Sequence, residues 1–124
     1  MSKNTKKEKK LISSTKEFKL LLEKKDSFFV LFSNENCGYC QIAEKNIKEV
    51  IDSFPQLEFY QIKLSSAPEI FARYNINSVP VTKIFKNGEA VYTGFGVRSP
   101  DDIYYQLNSY FDNKNSYFEK LADK

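Results

Sequence analysis

The sequence predicts an α/β protein: a three-layer α/β/α sandwich with a central mixed sheet of about four strands and an additional N-terminal helix. Three observations support this fold class. Helix-type and strand-type runs alternate along the chain, one strand-type run is apolar throughout, and an Asn-Gly hairpin signal lies near the end. At 124 residues, with 41% hydrophobic and 15% aromatic residues, the chain is long enough for one domain with an ordinary core.

Composition divides the chain into three parts. Lysine dominates residues 1–12, which we expect to be a disordered basic lead-in. We expect the folded domain to span residues 13–112. Residues 113–124 are expected to form a C-terminal extension, a short helix or a tail, because the helical pattern is lost after Asn113.

The first half of the domain reads as a helix followed by a strand and a second helix. Ser14 and Glu17 have the spacing of a capping box, which predicts a helix through about Lys25. The apolar run Phe28–Phe32 is typical of a buried central strand. Apolar residues then recur at helical spacing to about Phe54, which predicts a strand-to-helix unit.

The second half ends in a hairpin and a helix. Residues 57–64 suit a strand, and Ser66-Ala67-Pro68-Glu69 predicts the capped start of a short helix. Residues 81–93 form a predicted β-hairpin around Asn87-Gly88, the strongest short-range turn signal. A Ser-Pro-Asp-Asp start at Ser99 predicts the last helix.

Cys37-Gly38-Tyr39-Cys40 contains both cysteines of the chain and lies where the apolar strand gives way to a helix. Two intervening residues on a first helical turn bring the sulfurs within disulfide distance, with Cys37 facing solvent. The positive end of the helix dipole stabilises the Cys37 thiolate, so Cys37 is the expected nucleophile. Cys40 is more shielded and is the expected resolving thiol.

Two other interpretations of the cysteine pair remain open. A CxxC pair forms half of many zinc sites, but the chain has no histidine and no third cysteine, so zinc would need ligands from a second chain. A purely structural disulfide is the other alternative, although closing so short a loop stabilises little.

Four features in order make the chain resemble the thioredoxin superfamily over roughly residues 14–111. They are the Cys-Gly-Tyr-Cys motif, Val79-Pro80 where the family has a cis proline, the turn Lys86-Asn87-Gly88-Glu89, and Gly96 after the last strand. The resemblance implies a thioredoxin fold and exchange of disulfides with protein substrates through catalytic Cys37 and Cys40. It implies substrate binding by Gly38, Tyr39, Val79, Pro80 and Gly96. A trans proline opening an edge strand is the alternative for Pro80.

The chain departs from that family's usual pattern around the cysteines. Asn36 stands where the family usually has a tryptophan, and Tyr39 stands where the motif usually has a proline. Leu31 occupies the position of the usual buried aspartate, and either Gln61 or Lys63 occupies that of the nearby lysine. Without the aspartate, we expect the resolving step to rely on solvent or on another group, with Glu35 and Lys63 nearest in sequence. The motif also resembles that of bacterial secreted disulfide isomerases, and the composition resembles that of thioredoxin-like proteins of low-GC Gram-positive bacteria.

Charge and hydropathy limit the classes of partner and the location that we expect for the protein. A net charge of +3, from 19 basic and 16 acidic residues, gives no reason to expect nucleic acid. No run reaches the length of a membrane span, and no signal-peptide pattern follows the basic start. We therefore expect a cytoplasmic monomer without a cofactor, served by an upstream reductase or another thiol donor. An extracytoplasmic location is the alternative if a signal peptide or lipid anchor was removed.

Two alternatives to a cytoplasmic oxidoreductase remain open. The first is a redox-inactive or regulatory binding module that uses the Val79-Pro80 groove without turnover. The second is an extracytoplasmic disulfide isomerase or oxidase whose signal is missing. A glutathione-dependent enzyme fits less well, because the N-terminal helix and the Lys-Asn-Gly-Glu hairpin match thioredoxins better.

Overall fold

The computed structural model describes residues 9–111. Its elements in chain order are β1 (Lys10–Ile12), α1 (Thr15–Lys24), β2 (Ser27–Ser33), α2 (Gly38–Ile51), β3 (Glu58–Lys63), α3 (Pro68–Arg73), β4 (Val81–Lys86), β5 (Glu89–Phe95) and α4 (Pro100–Tyr110). The strands form one sheet in the order β1-β3-β2-β4-β5. β1, β3 and β2 are parallel, and β4 and β5 are antiparallel. The predicted mixed α/β architecture is confirmed, with five strands instead of four.

The additional strand, β1, lies inside the segment expected to be disordered. It pairs with β3 in parallel, with Ile12 opposite Ile62, and Ile12 is buried. The expectation of a disordered lead-in is therefore wrong for Lys10–Ile12. A strand of three residues is too short to show an alternating pattern, and its place at the sheet edge depends on a partner 50 residues away in sequence. Residues 1–8 and the predicted extension at 113–124 lie outside the described residues.

Local capping signals set most of the helix starts. The Ser14 hydroxyl accepts a hydrogen bond from the Glu17 N–H at 3.1 Å, and the Ser99 hydroxyl accepts one from the Asp102 N–H at 3.1 Å. α3 differs from the prediction, because Ala67 is its N-cap residue and makes no side-chain capping bond. Its start relies instead on Pro68 at the first helical position, whose fixed φ suits a helix.

The hairpin turn between β4 and β5 also follows its sequence signal. Asn87 and Gly88 have φ angles of 54° and 83°, and a type I′ turn requires positive φ at both central residues. The turn places Lys86 opposite Glu89, and a register shift between Ile84 and Phe85 then brings Val81 opposite Phe95. This pairing places the start of β4 next to the end of β5, at one end of the strands.

The sheet separates two apolar layers. On one face, Phe29 and Leu31 of β2 join the core cluster of α2 and α4, which includes Ile47 and Leu107. On the other face, alternate residues of β2 join the cluster of α1 and α3, which includes Phe18. Residues 28–32 of β2 are all apolar because both faces of the strand are covered.

In the described part of the chain, none of the helices combines the length and the apolar character needed to cross a membrane.

Candidate active site

The two cysteines lie at the start of α2, directly beyond the end of β2. They form a disulfide, with their Cα atoms 5.2 Å apart. Cys37 is the N-cap residue of α2, and its Sγ accepts a hydrogen bond from the Cys40 N–H at 3.1 Å. Asn36 has a φ of 55°, a left-handed conformation that asparagine tolerates better than most residues, and it turns the chain into the helix.

Exposure distinguishes the two sulfur-bearing residues. Cys37 is partly exposed, whereas Cys40 is only 4% exposed. A thiolate at Cys37 would lie among the free N–H groups of the helix N-terminus, where negative charge is stabilised. The arrangement is therefore the one that the motif predicts, with an accessible first sulfur and a shielded second one.

Gly38 and Tyr39 form the exposed first turn of α2 between the cysteines. Tyr39 is 69% exposed, and a Cβ added at Gly38 would meet nothing within 4 Å. The surface above the disulfide is thus open to a large partner, with an aromatic ring at its border.

The end of β2 lies beside the start of β4 and the end of β5, where Val79, Pro80 and Gly96 are found. The Val79–Pro80 peptide is cis, so the alternative of a trans proline is wrong. The next residue, Val81, pairs with Phe32 of β2, and the Gly96 N–H donates to the Pro80 carbonyl oxygen at 2.9 Å. Gly96 has a φ of 74°, which favours glycine at this turn.

Two apolar residues flank Gly96 and were not singled out from the sequence. Phe95 is 71% exposed and Val97 is also exposed, so together with Tyr39 they place apolar side chains at the edge of the sheet that carries the cysteines. The sequence does carry a signal for them, because they stand on either side of Gly96. Large exposed apolar groups at such an edge are typical of a contact surface.

Two of the positions that depart from the family pattern, Leu31 and Gln61, lie next to each other in the sheet. Leu31 is fully buried in the core and pairs in register with Gln61, which settles that Gln61, and not Lys63, lies opposite it. Gln61 is only 6% exposed, and its Nε2 donates to the Ser33 hydroxyl at 2.7 Å. The Gln61 Oε1 atom has no hydrogen-bond partner among residues 9–111.

A polar cavity of about 320 Å³ lies beside the disulfide, and both cysteines and Gln61 contribute to its lining. Two ion pairs also line the cavity. The Lys9 Nζ is 3.0 Å from a Glu44 carboxylate oxygen, and the Lys63 Nζ is 3.6 Å from a Glu35 carboxylate oxygen. The charges around the cavity are therefore balanced in pairs.

Residues 9–111 contain no group of three or more His, Cys, Asp or Glu side chains placed to hold a metal ion. The two cysteines are bonded to each other. Their geometry is that of a dithiol–disulfide couple.

Comparison with known proteins agrees with this geometry. A sequence model of the family described as Thioredoxin matches residues 9–109. The chain is similar to the thioredoxin-like protein YusE of Bacillus subtilis, with 32% identity over 79 residues that cover 64% of this chain and 74% of that protein. It is 27% identical over 89 residues to Thioredoxin-2 of Pyricularia oryzae, and this match covers 72% of the chain but about half, 52%, of that protein.

Solved structures give the same answer for the fold. Plasmodium falciparum thioredoxin superposes on the chain with a TM-score of 0.74 and 25% identity, covering 82% of this chain and 98% of that one. The mixed sheet with helices on both faces is thus the thioredoxin fold. The disulfide-bonded CxxC pair at the start of α2 supports thiol-disulfide oxidoreductase function. The chain belongs to the thioredoxin family.

Proposed function

We propose that the protein catalyses disulfide exchange with protein substrates, with Cys37 as the attacking thiol and Cys40 as the resolving thiol. The observation that supports these roles is the position of Cys37, which is the accessible N-cap of α2 while Cys40 is buried one turn later. The Cys37 thiolate attacks a substrate disulfide, forms a mixed disulfide and releases one substrate thiolate. The Cys40 thiolate then attacks Cys37, which forms the intramolecular disulfide and releases the second substrate thiolate. The dithiol loses two electrons and the substrate disulfide gains them.

The substrate chain lies across the open surface that surrounds Cys37. The space around Gly38, beside the partly exposed Cys37, is open, and the exposed rings of Tyr39 and Phe95 supply apolar contacts. Val79-Pro80 and Gly96 contact the substrate chain at the same end of the sheet. Main-chain hydrogen bonds to an extended peptide come from Val79, because the Pro80 carbonyl oxygen and the Gly96 N–H are bonded to each other. Members of the family act on protein disulfides together with reductase partners, so we propose an upstream reductase or another thiol donor as the second partner.

Substituting each cysteine by serine tests the two roles. Cys37→Ser removes the nucleophile and is expected to abolish reduction of insulin disulfides by dithiothreitol-recycled protein. Cys40→Ser leaves the attacking thiol but no resolving thiol, so mixed disulfides accumulate and are visible on non-reducing gels. A Cys37→Ser variant that retains the wild-type rate contradicts the mechanism. Thermal unfolding of both variants under reducing conditions controls for loss of the fold.

The direction of exchange is decided by the reduction potential of the Cys37–Cys40 pair. We propose a cytoplasmic reductase, for which a value near about −270 mV is expected. A value between about −180 and −120 mV favours the isomerase or oxidase alternative, and with it an extracytoplasmic location. Equilibration in dithiothreitol or glutathione buffers, followed by thiol alkylation and mass spectrometry, gives the potential.

A binding module without turnover is the second candidate, and the burial of Leu31 where the family has an acid favours it. Such a module would use the same edge around Val79 and Pro80. A wild-type protein that binds its partner tightly but fails to reduce insulin would support this candidate over the enzyme.

A further inference from the structure

The resolving step requires Cys40 to lose a proton from a buried position. The thiolate, not the thiol, attacks the mixed disulfide, and Cys40 is 4% exposed. The strand beneath it offers no acid or base, because Leu31 of β2 is apolar. The cavity lined by Cys40 is therefore the route that the structure offers for this proton.

Four charged side chains line that cavity. Lys9 precedes β1, Lys63 ends β3, Glu35 lies in the loop after β2, and Glu44 lies on α2. The two lysines are cations and cannot accept a proton. Glu44 and Glu35 are thus the candidate acceptors among the groups that line the cavity.

Glu44 is better placed than Glu35. It follows Cys40 by four residues on α2, so the two side chains lie on one face of the helix. Its side chain is only 18% exposed, compared with 58% for Glu35. Ion pairs with Lys9 at 3.0 Å and Lys48 at 3.3 Å hold the carboxylate at the cavity wall.

Gln61 supplies the second polar group at this wall. Its Nε2 is engaged by the Ser33 hydroxyl, which fixes the amide plane and leaves the buried Oε1 without a partner among residues 9–111. Buried acceptors are normally satisfied by protein or by ordered water. A cavity of about 320 Å³ has room for several waters, since each occupies about 30 Å³ in the liquid.

We propose that the Cys40 proton leaves through this cavity to the Glu44 carboxylate, by way of water positioned by the Gln61 Oε1. The S–H bond of Cys40 breaks, the proton passes to water and on to Glu44, and the Cys40 thiolate attacks the Sγ of Cys37 in the mixed disulfide. The Cys37–substrate bond breaks as the Cys37–Cys40 bond forms. Solvent later recovers the proton from Glu44. This inference rests on the proposed function, and it assigns Gln61 as a positioning residue.

Reaction of the reduced protein with dithiobis(nitrobenzoate) in a stopped-flow instrument separates the two steps. The first coloured thiolate is released when Cys37 attacks the reagent, and the second when Cys40 resolves the mixed disulfide. Glu44→Gln is expected to slow the second phase at neutral pH by about 10- to 100-fold, at or below the usual range of about 100- to 10,000-fold for general base catalysis. The first phase is expected to stay within about twofold of the wild type, because Cys37 does not use this route.

The pH profile distinguishes a lost proton acceptor from a damaged structure. In Glu44→Gln the second phase is expected to recover as the pH rises, because the thiol then ionises without help. Gln61→Leu is expected to slow the second phase by about tenfold and to leave the first phase unchanged, because only the resolving step uses the water that the amide oxygen positions. A purely structural role for Gln61 predicts a parallel loss in the first phase.

Matched variants complete the test. Glu49→Gln alters an exposed carboxylate on the same helix and is expected to leave both phases unchanged. Lys9→Gln removes one of the two ion pairs that hold the Glu44 carboxylate but keeps the carboxylate itself, so it is expected to slow the second phase less than Glu44→Gln does. A wild-type second phase in Glu44→Gln, or slowing by Glu35→Gln instead, overturns the proposal. If the wild type shows no first phase, the proposed function itself fails.

Discussion

Thr82 carries a hydroxyl that is buried at high cost. The residue is 1% exposed, and its Oγ1 has no hydrogen-bond partner among residues 9–111. An unsatisfied buried hydroxyl costs about 1–3 kcal/mol. Thr82→Val replaces it by a methyl group of similar size, so we expect the free energy of unfolding to rise by about 1 kcal/mol and Tm by about 4–8 °C. Urea denaturation of the oxidised protein measures the change.

Thr93→Val on the neighbouring strand is the matched control. The Thr93 hydroxyl accepts a hydrogen bond at 2.7 Å from the Nζ of Lys83, a lysine whose pKa is lowered by burial. Removing this acceptor leaves a buried ammonium without its hydrogen bond, so Thr93→Val is expected to destabilise the protein by about 1–3 kcal/mol. Destabilisation by Thr82→Val as well would show that its hydroxyl has a partner.

At the scale of elements, Glu58 ties three segments together. Its carboxylate lies 2.7 Å from the Nζ of Lys25 after α1 and 2.9 Å from that of Lys10 in β1, and it accepts a hydrogen bond from the Tyr60 hydroxyl. The Lys25 contact is the main cause that holds the pKa of Glu58 at about 2 instead of its usual 4.5. A carboxyl group with a lowered folded-state pKa stabilises the fold above its unfolded value, and this stabilisation is lost as the pH falls through the folded value.

Glu58→Gln is therefore expected to flatten the pH dependence of stability between about 4.5 and 2. The wild type should lose stability across this window, whereas the variant should start lower at neutral pH and lose less. Urea unfolding at a series of pH values measures both curves. Glu23→Gln, on the exposed face of α1, is the control and should follow the wild type. If stability falls equally steeply with pH in Glu58→Gln and in the wild type, Glu58 is not the source of this pH dependence.

The elements that sequence predicted are those with local signals. The caps at Ser14 and Ser99, the Asn87-Gly88 turn and the apolar run of β2 depend on residues close together in the chain. β1 has no such signal, since its pairing is with distant β3. Likewise, Cys37 and Cys40 are found from their spacing. That Gln61 and Glu44 line one cavity could not be predicted, because it depends on the packing of β3 against α2.

At the scale of the whole molecule, the sheet joins the two apolar layers into one cooperative unit. Phe18 of α1 is fully buried on one face and contacts the rings of Phe28, Phe32 and Phe85. Ile47 of α2 is fully buried on the other face. Both layers rest on β2, so neither is expected to unfold without the other.

Phe18→Ala and Ile47→Ala test this coupling. We expect losses of about 3–5 and about 2–5 kcal/mol, because each substitution leaves a cavity in a packed core. These are large shares of a typical stability of about 5–15 kcal/mol. Circular dichroism and tyrosine fluorescence should still report a single coincident unfolding transition in each oxidised variant, because damage to either layer weakens the sheet that supports both. Leu20→Ala, at a position of α1 that is 41% exposed, should change the midpoint less than either core substitution. Separate transitions for the two probes would mean that one layer, and with it one wall of the active site, folds independently of the other.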